Sequence, residues 1–202
     1  AQSDTAQNPY EFVWSEIRTV FNKADIPGLS VIIVDEKKTY IQNFGYADIG
    51  NKIPITSKTL FELGSTSKAF TALAILHLKE EELLGLDDYV SKYIPWFKTY
   101  YNGKEVKITI NQLLHHTSGI PMESISQIPQ GEGSKMLEKT VNVINNYQLK
   151  SSPGADYEYA TVNYDILGLI IERISNLSFE EYLQKYIFQP LDLKYTSVGK
   201  PV

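Results

Sequence analysis

The stretch Phe61 to His77 reads FELGSTSKAFTALAILH, a short extended segment, a glycine and then a run with helical periodicity. Ser65 opens that helix and Lys68 follows three residues later, so both side chains project from the same side of the first turn. A hydroxyl and an amine held together at a helix N-terminus can carry nucleophilic catalysis, the hydroxyl attacking a carbonyl while the amine helps manage its proton. A lysine amine is ordinarily protonated well above neutral pH, so it accepts a proton there only where burial or nearby positive charge intervenes. The plain alternative is a serine N-cap beside a solvated lysine. Spacing alone does not decide between them, since roughly one Ser-x-x-Lys match is expected by chance in such a composition. Ser197 to Lys200, SVGK, is a second match and reads as accidental.

Other chemistry-bearing residues are weaker candidates. His115 and His116 are adjacent and point in different directions, and His77 is distant in sequence. No metal-ligand spacing occurs, so neither a metal nor another cofactor is expected. A Gly-rich phosphate loop is also lacking. Tyr is plentiful at 14 copies, and one not engaged in packing is a possible acid or base.

The elements that must position these groups can be read in order. Glu11 to Ala24 is an amphipathic helix through Phe12, Val13, Ile17, Val20 and Phe21, stopped before Pro27-Gly28. Leu29 to Val34, the turn Asp35 to Lys38 and the run TYIQNFGYA form a β-hairpin, whose apolar first strand suggests burial on both faces. Asp48 to Ser57 reads as loop. The Ser65 helix should bury Ala69, Ala72, Leu73 and Leu76 and run to about Leu84, capped by Gly85. Asp87 to Tyr93 is a short helix, with Trp96 and Phe97 as core plugs, and Tyr100 to Glu105 is a turn. Thr109 starts a helix through Leu114, and Met122 to Gly133 is a long polar loop. Helices follow at Lys135 to Tyr147, about Thr161 to Ser175, and Ser178 to Ile187, the last with Ser178 as cap and Glu181 three residues on. The strand-like runs amount to one hairpin, which needs neighbours to be stable, so further strands are either hidden or lie outside this sequence.

Composition narrows the class. The sequence has 202 residues, 43% hydrophobic and 21% charged, as in a globular domain. A formal net charge of −5 argues against a nucleic-acid surface. Without cysteine there are no disulfides or thiolate metal sites. No run reaches the roughly 18 to 20 apolar residues of a membrane span. The small, polar start AQSDTAQN looks like the tail left by signal-peptide cleavage, which suggests an extracytoplasmic location.

Several stretches together resemble the serine β-lactamase and penicillin-binding-protein superfamily, nearest its class C β-lactamase, D-peptidase and esterase branch. PGLSVIIVDEKKTYIQNFGYAD matches the opening hairpin and TLFELGSTSKAFTALAI the nucleophile helix. ITINQLLHHTSGIP, Ile108 to Pro121, matches the helix and turn beside the site. PGADYEYATVNYDILGLIIE, Pro153 to Glu172, matches the segment of the second motif, and FQPLDLKYTSVG the stretch after it. The resemblance implies Ser65 as acylated nucleophile, Lys68 as base or proton carrier, and Tyr159 as the tyrosine of a Tyr-x-Asn motif that shuttles a proton. It also implies that the Ser65 backbone N–H forms half of an oxyanion hole. Thr161 stands where the family has Asn and, with Glu123 in the loop that lines the family's cleft, is a candidate substrate contact; for Glu123 a solvated loop position is the plain alternative. No counterpart of the family's third motif, a Lys-Thr-Gly or His-x-Gly strand, occurs between Thr161 and Val202.

The implied architecture is an α/β (α+β) β-lactamase-like serine hydrolase fold: an incomplete antiparallel sheet flanked by helices, plus a mostly helical subdomain. Residues 1–79 belong to the mixed domain, 80–168 to the helical subdomain and 169–202 to the return toward the first. The expected activity is acyl-enzyme hydrolysis of an amide or ester: a D-amino-acid peptide, a peptidoglycan stem, a β-lactam or a small ester. The expected partners are such a small-molecule or peptide substrate and the strands that complete the sheet, from the rest of the chain or from a second polypeptide. The alternatives are a non-catalytic binding module of the same fold, or one half of a split enzyme.

Overall fold

The computed structural model describes residues 9–36, 38–129, 131 and 135–199. The chain forms two compact units, one ending at Glu62 and the other beginning at Leu63. Together they give the mixed α/β architecture that the sequence implies.

In the first unit, helix α1 (Glu11–Lys23) leads into the predicted hairpin, β1 (Gly28–Val34) antiparallel to β2 (Thr39–Asp48). The anchor of α1 is Trp14, which is fully buried, whereas Phe12 and Val20 of the predicted apolar stripe are exposed. Phe21 does pack, its ring 5.4 Å from that of Phe44 on β2. Gly45 adopts φ +70°, and a Cβ there would lie 2.2 Å from the Pro27 carbonyl oxygen. That close approach lets the Tyr46 N–H donate to the same oxygen at 2.8 Å.

Two expectations for this unit fail. The stretch read as loop, Asp48 to Ser57, contains a third strand, β3 (Ile53–Pro54), paired with the end of β2. Two residues ending in proline are too short to show alternation. Burial of β1 on both faces does not occur either: Ile32 and Val34, two apart and therefore on the same face, are exposed.

In the second unit, a 3₁₀ turn at Gly64–Ser67 runs into helix α2 (Lys68–Glu80). The helix ends before the predicted Leu84, because Glu82 takes a left-handed conformation at φ +58° and the Leu83 N–H closes the turn on the Leu78 carbonyl at 3.0 Å. Gly85 is not the cap; its N–H donates to Asp88 at 2.7 Å. The buried face is also not the predicted one. The core takes Thr71, Ala74, Ile75 and Leu78, while Leu73 and Leu76 are exposed. α2 is apolar around most of its circumference, so periodicity marks two faces and cannot choose between them.

Helix α3 (Val90–Tyr93) precedes a second small sheet. The predicted turn at Tyr100 to Glu105 is a hairpin, β4 (Thr99–Tyr101) and β5 (Lys104–Val106). It reverses at Asn102-Gly103, both with positive φ, as a two-residue hairpin turn requires. Helix α4 (Ile110–Leu114) starts at the predicted Thr109, which forms a capping box with Gln112. The predicted loop from Met122 contains a 3₁₀ turn at Met122–Gln127, and Gln130 and residues 132–134 lie outside the described residues. Helix α5 (Met136–Val143) is shorter than predicted, since Tyr147 belongs to β6 (Tyr147–Gln148), parallel to β4. The strands thought to lie only before Ser57 therefore have short counterparts here.

Helix α6 (Val162–Ser175) is the centre of this unit's core. Its Ile166, Leu167, Leu169, Ile170 and Ile171 are buried in one cluster with Ile75 and Leu78 of α2, Ile110 and Leu113 of α4, and Val141 of α5. Each such side chain contributes about 1.5–3 kcal/mol of burial. Helix α7 (Phe179–Leu183) carries the predicted Ser178–Glu181 capping box and continues into a π turn, Gln184–Phe188.

Candidate active site

Ser65 sits in the 3₁₀ turn that leads into α2, just after Gly64, whose φ of +54° suits a residue without Cβ. The turn is tied by Ser67 Oγ donating to the Gly64 carbonyl at 2.7 Å and by Thr66 Oγ1 donating to the Leu63 carbonyl. Ser65 is exposed, and the first residue of α2, Lys68, is half-buried beneath it. Lys68 Nζ donates to Ser65 Oγ at 3.3 Å. Tyr159, 94 positions away in the chain, places its hydroxyl 2.7 Å from the same oxygen. Ser65 Oγ thus lies between an ammonium and a phenol, within or near the reach proton transfer needs.

The phenol is tuned. Hydrogen bonding with Lys68, and secondly with Ser65, holds the Tyr159 pKa below its ordinary value of 10.0. Thr161, at the start of α6, adds a smaller hydrogen-bond contribution in the same direction. Lys68 also lies 5.2 Å from the centre of the Tyr159 ring.

Tyr159 is delivered by a segment that has no regular structure of its own. The Gly154 N–H donates to the Thr117 carbonyl at 2.7 Å and the Glu158 N–H to the His116 carbonyl at 2.8 Å. Gly119 has φ +81° and lies so close to the Ser151 carbonyl oxygen that a Cβ would be 2.2 Å from it. The residues His116, Ser118 and Asn163 were not singled out from sequence for this site. Their signal was the HHTSG turn and the Asn four residues beyond Tyr159, both within the stretches that carry the resemblance.

Between α2 and α6 lies a half-open cavity of about 180 Å³ whose wall includes Lys68, Thr71, Thr161 and Asp165. Asp165 Oδ2 is buried there without a hydrogen-bond partner. Burial raises the Asp165 pKa from 3.8 to about 6, against the opposing pull of Lys68.

The structure therefore brings Ser65, Lys68, Tyr159 and Thr161 together. Glu123 is exposed in the 3₁₀ turn that starts at Met122. Its neighbour in that stretch is an anchor: Glu158 accepts from the Met122 N–H at 3.0 Å and pairs with Lys150 at 2.9 Å. Among the described residues, no group of three His, Asp or Glu could hold a metal, and no helix is long and apolar enough to cross a membrane.

A serine set between lysine and tyrosine just before α2, on a mixed α/β frame, is the arrangement that the resemblance to the β-lactamase and penicillin-binding-protein superfamily implies. The chain belongs to the Beta-lactamase family, whose sequence profile matches residues 15–202. It is 40% identical over 176 residues to Protein flp of Staphylococcus aureus (strain MW2), covering 87% of this chain and 35% of that protein. It is 31% identical over 196 residues to Penicillin-binding protein 4* of Bacillus subtilis (strain 168), covering 95% of this chain and 42% of that one. The chain thus spans well under half the length of these relatives.

Solved structures agree. EstCE1, a hydrolase with promiscuous acyltransferase activity, superposes with a TM-score of 0.79 at 27% identity, over 90% of this chain and 51% of that one. The octameric penicillin-binding protein homologue from Pyrococcus abyssi gives 0.78 at 31% identity, over 92% and 43%.

Proposed function

We propose that the polypeptide carrying this chain hydrolyses an amide or ester through an acyl-enzyme on Ser65. One observation carries the reading: Ser65 Oγ stands 2.7 Å from the Tyr159 hydroxyl and 3.3 Å from Lys68 Nζ. Tyr159, its phenol acidified by hydrogen bonding with Lys68, carries the Ser65 proton away as Oγ attacks the carbonyl carbon. The tetrahedral oxyanion is stabilised by the Ser65 N–H at the helix N-terminus. Tyr159 then returns its proton to the departing amine or alcohol. In the second half, Tyr159 accepts a proton from water as the water oxygen attacks the ester carbon, and returns that proton to Ser65 Oγ as the C–O bond breaks and the acid leaves.

The proposed substrates are D-amino-acid peptides, peptidoglycan stems, β-lactams or small esters. A relative named as a penicillin-binding protein and a structural neighbour described as a hydrolase with promiscuous acyltransferase activity support this range. Thr161 offers donor and acceptor on one hydroxyl where Asn would offer a separate N–H donor and C=O acceptor, which favours simple acyl transfer over efficient β-lactam hydrolysis. The second oxyanion donor and the far wall of the cleft are assigned to strands outside residues 1–202, and the protein to the cell envelope. The same Thr161 departure favours one second reading, a binding module that is acylated without turning over.

The test is turnover of a p-nitrophenyl ester, a chromogenic cephalosporin and a D-alanyl-D-alanine peptide by the full polypeptide and by its Ser65→Ala variant. The proposal expects at least one substrate to be consumed catalytically, and only with Ser65 present. Turnover that survives Ser65→Ala contradicts it, and stoichiometric acylation without turnover selects the binding module.

A further inference from the structure

His116 makes contacts on both sides of Tyr159. Its backbone carbonyl accepts the Glu158 N–H at 2.8 Å, and its Nδ1 accepts the Ala160 N–H at 3.2 Å. The residue between those two donors is Tyr159, whose ring lies 4.5 Å from the imidazole at an interplanar angle of 34°. His116 makes both contacts from a left-handed backbone, φ +55°. Among non-glycine residues Asn, Asp and His tolerate that conformation best.

The protonation of the ring follows from its partners. The Ile120 N–H donates to Ser118 Oγ at 3.1 Å, so the Ser118 hydroxyl is free to donate onward to Asn163 Oδ1 at 2.8 Å. That fixes the amide, and Asn163 Nδ2 donates to His116 Nδ1 at 3.1 Å. With two N–H groups aimed at it, Nδ1 carries no proton, and the neutral ring holds its proton on Nε2. The side chains of Asn163 and Ser118 are buried, so no water competes for this arrangement.

We propose that His116, in its neutral Nε2–H form, is the positioning residue that clamps the Tyr159 segment and holds the phenol against Ser65. The inference rests on the reading of Tyr159 as the proton carrier of Ser65. Protonating Nδ1 turns an acceptor into a donor facing two donors, which drives Ala160 and Asn163 away and releases the clamp. The titratable and charged groups around the ring are Lys68 on α2, Tyr157 and Tyr159 on the delivering segment, and Tyr164 on α6. Burial first, and the Lys68 charge second, keep the His116 pKa below its ordinary 6.5, so the clamp is closed at neutral pH.

The experiment compares the full polypeptide with His116→Asn and His116→Leu. Asn carries Oδ1 at the position of Nδ1, tolerates the left-handed backbone and does not titrate, whereas Leu removes the acceptor. The first readout needs no activity: the Tyr159 phenol is titrated through its labelled ring carbon by NMR. The expected result is titration below 10 in the wild type and in His116→Asn, and a return toward 10 in His116→Leu. The second readout is the rate of Ser65 acylation by a p-nitrophenyl ester against pH. His116→Asn should stay within about tenfold of wild type at neutral pH and lose the acid limb that follows the NMR titration of His116. His116→Leu should fall by about 100-fold, within the usual span of a general acid–base contribution.

A Tyr159 titration unchanged in His116→Leu overturns the proposal, as does a wild-type ring protonated on Nδ1 at neutral pH. Should His116→Leu fail to fold, the acid limb in His116→Asn decides, and its persistence overturns the clamp. A Tyr159 titration that depends on His116 in a protein that never acylates Ser65 keeps the clamp and removes the hydrolase reading.

Discussion

Asp165→Asn should change how stability depends on pH, by an amount the structure sets. The Asp165 carboxyl shares a cavity with Lys68, and its Oδ2 is buried without a hydrogen-bond partner. The folded protein keeps the Asp165 proton up to about pH 6, whereas the ordinary value is 3.8. Between those values the folded state binds more protons than the unfolded state, so stability falls as pH rises. The contribution is fully present below the unfolded value and is lost as pH passes the folded one. A rise from 3.8 to about 6 corresponds to about 3 kcal/mol. Asn does not titrate, so the stability of Asp165→Asn relative to wild type should increase by about that much from acid to mildly alkaline pH. Urea unfolding of both proteins between about pH 4 and about pH 8 measures it, and groups not coupled to Asp165 cancel in the difference. A constant offset between the two curves, or an advantage for Asn that grows toward acid, refutes the assignment of a buried, proton-holding carboxyl.

Two further substitutions probe the site and its frame. Tyr159→Phe removes the hydroxyl 2.7 Å from Ser65 Oγ and leaves only Lys68 at 3.3 Å; acylation should slow by about 10²–10⁴-fold with little change in the thermal midpoint, checked by stopped-flow acylation and calorimetry. Gly119→Ala forces a Cβ to within 2.2 Å of the Ser151 carbonyl oxygen at φ +81°; a loss of about 2–4 kcal/mol in unfolding free energy is expected, because backbone rather than a flexible side chain must move.

What the sequence revealed depended on the range of each signal. The hairpin is legible because a short β-branched run, a polar turn and a second strand-like run occupy consecutive residues, and the caps at Thr109 and Ser178 because a box spans four positions. Ser65 and Lys68 are legible for the same reason. Tyr159 lies 94 residues away from Ser65, and no local pattern links them; only the resemblance did so. Strands of two or three residues, such as β3 and β6, are too short to carry a period. The buried face of α2 is not legible because a helix apolar nearly all round leaves the choice to its neighbours, and α6 takes the Thr71–Ala74–Ile75–Leu78 side. His116 was weighed only as a metal ligand; its part at the site depends on a left-handed backbone and a buried amide that spacing does not encode.

The central claim is that Ser65 is a nucleophile activated by Tyr159 and Lys68. Its most direct test is intact and peptide mass spectrometry of the full polypeptide after treatment with a fluorophosphonate and with a fluorescent penicillin. The account predicts a single adduct on Ser65 with at least one probe, slowed in Tyr159→Phe and absent in Ser65→Ala. No adduct from either probe, or an adduct that persists in Ser65→Ala, contradicts it.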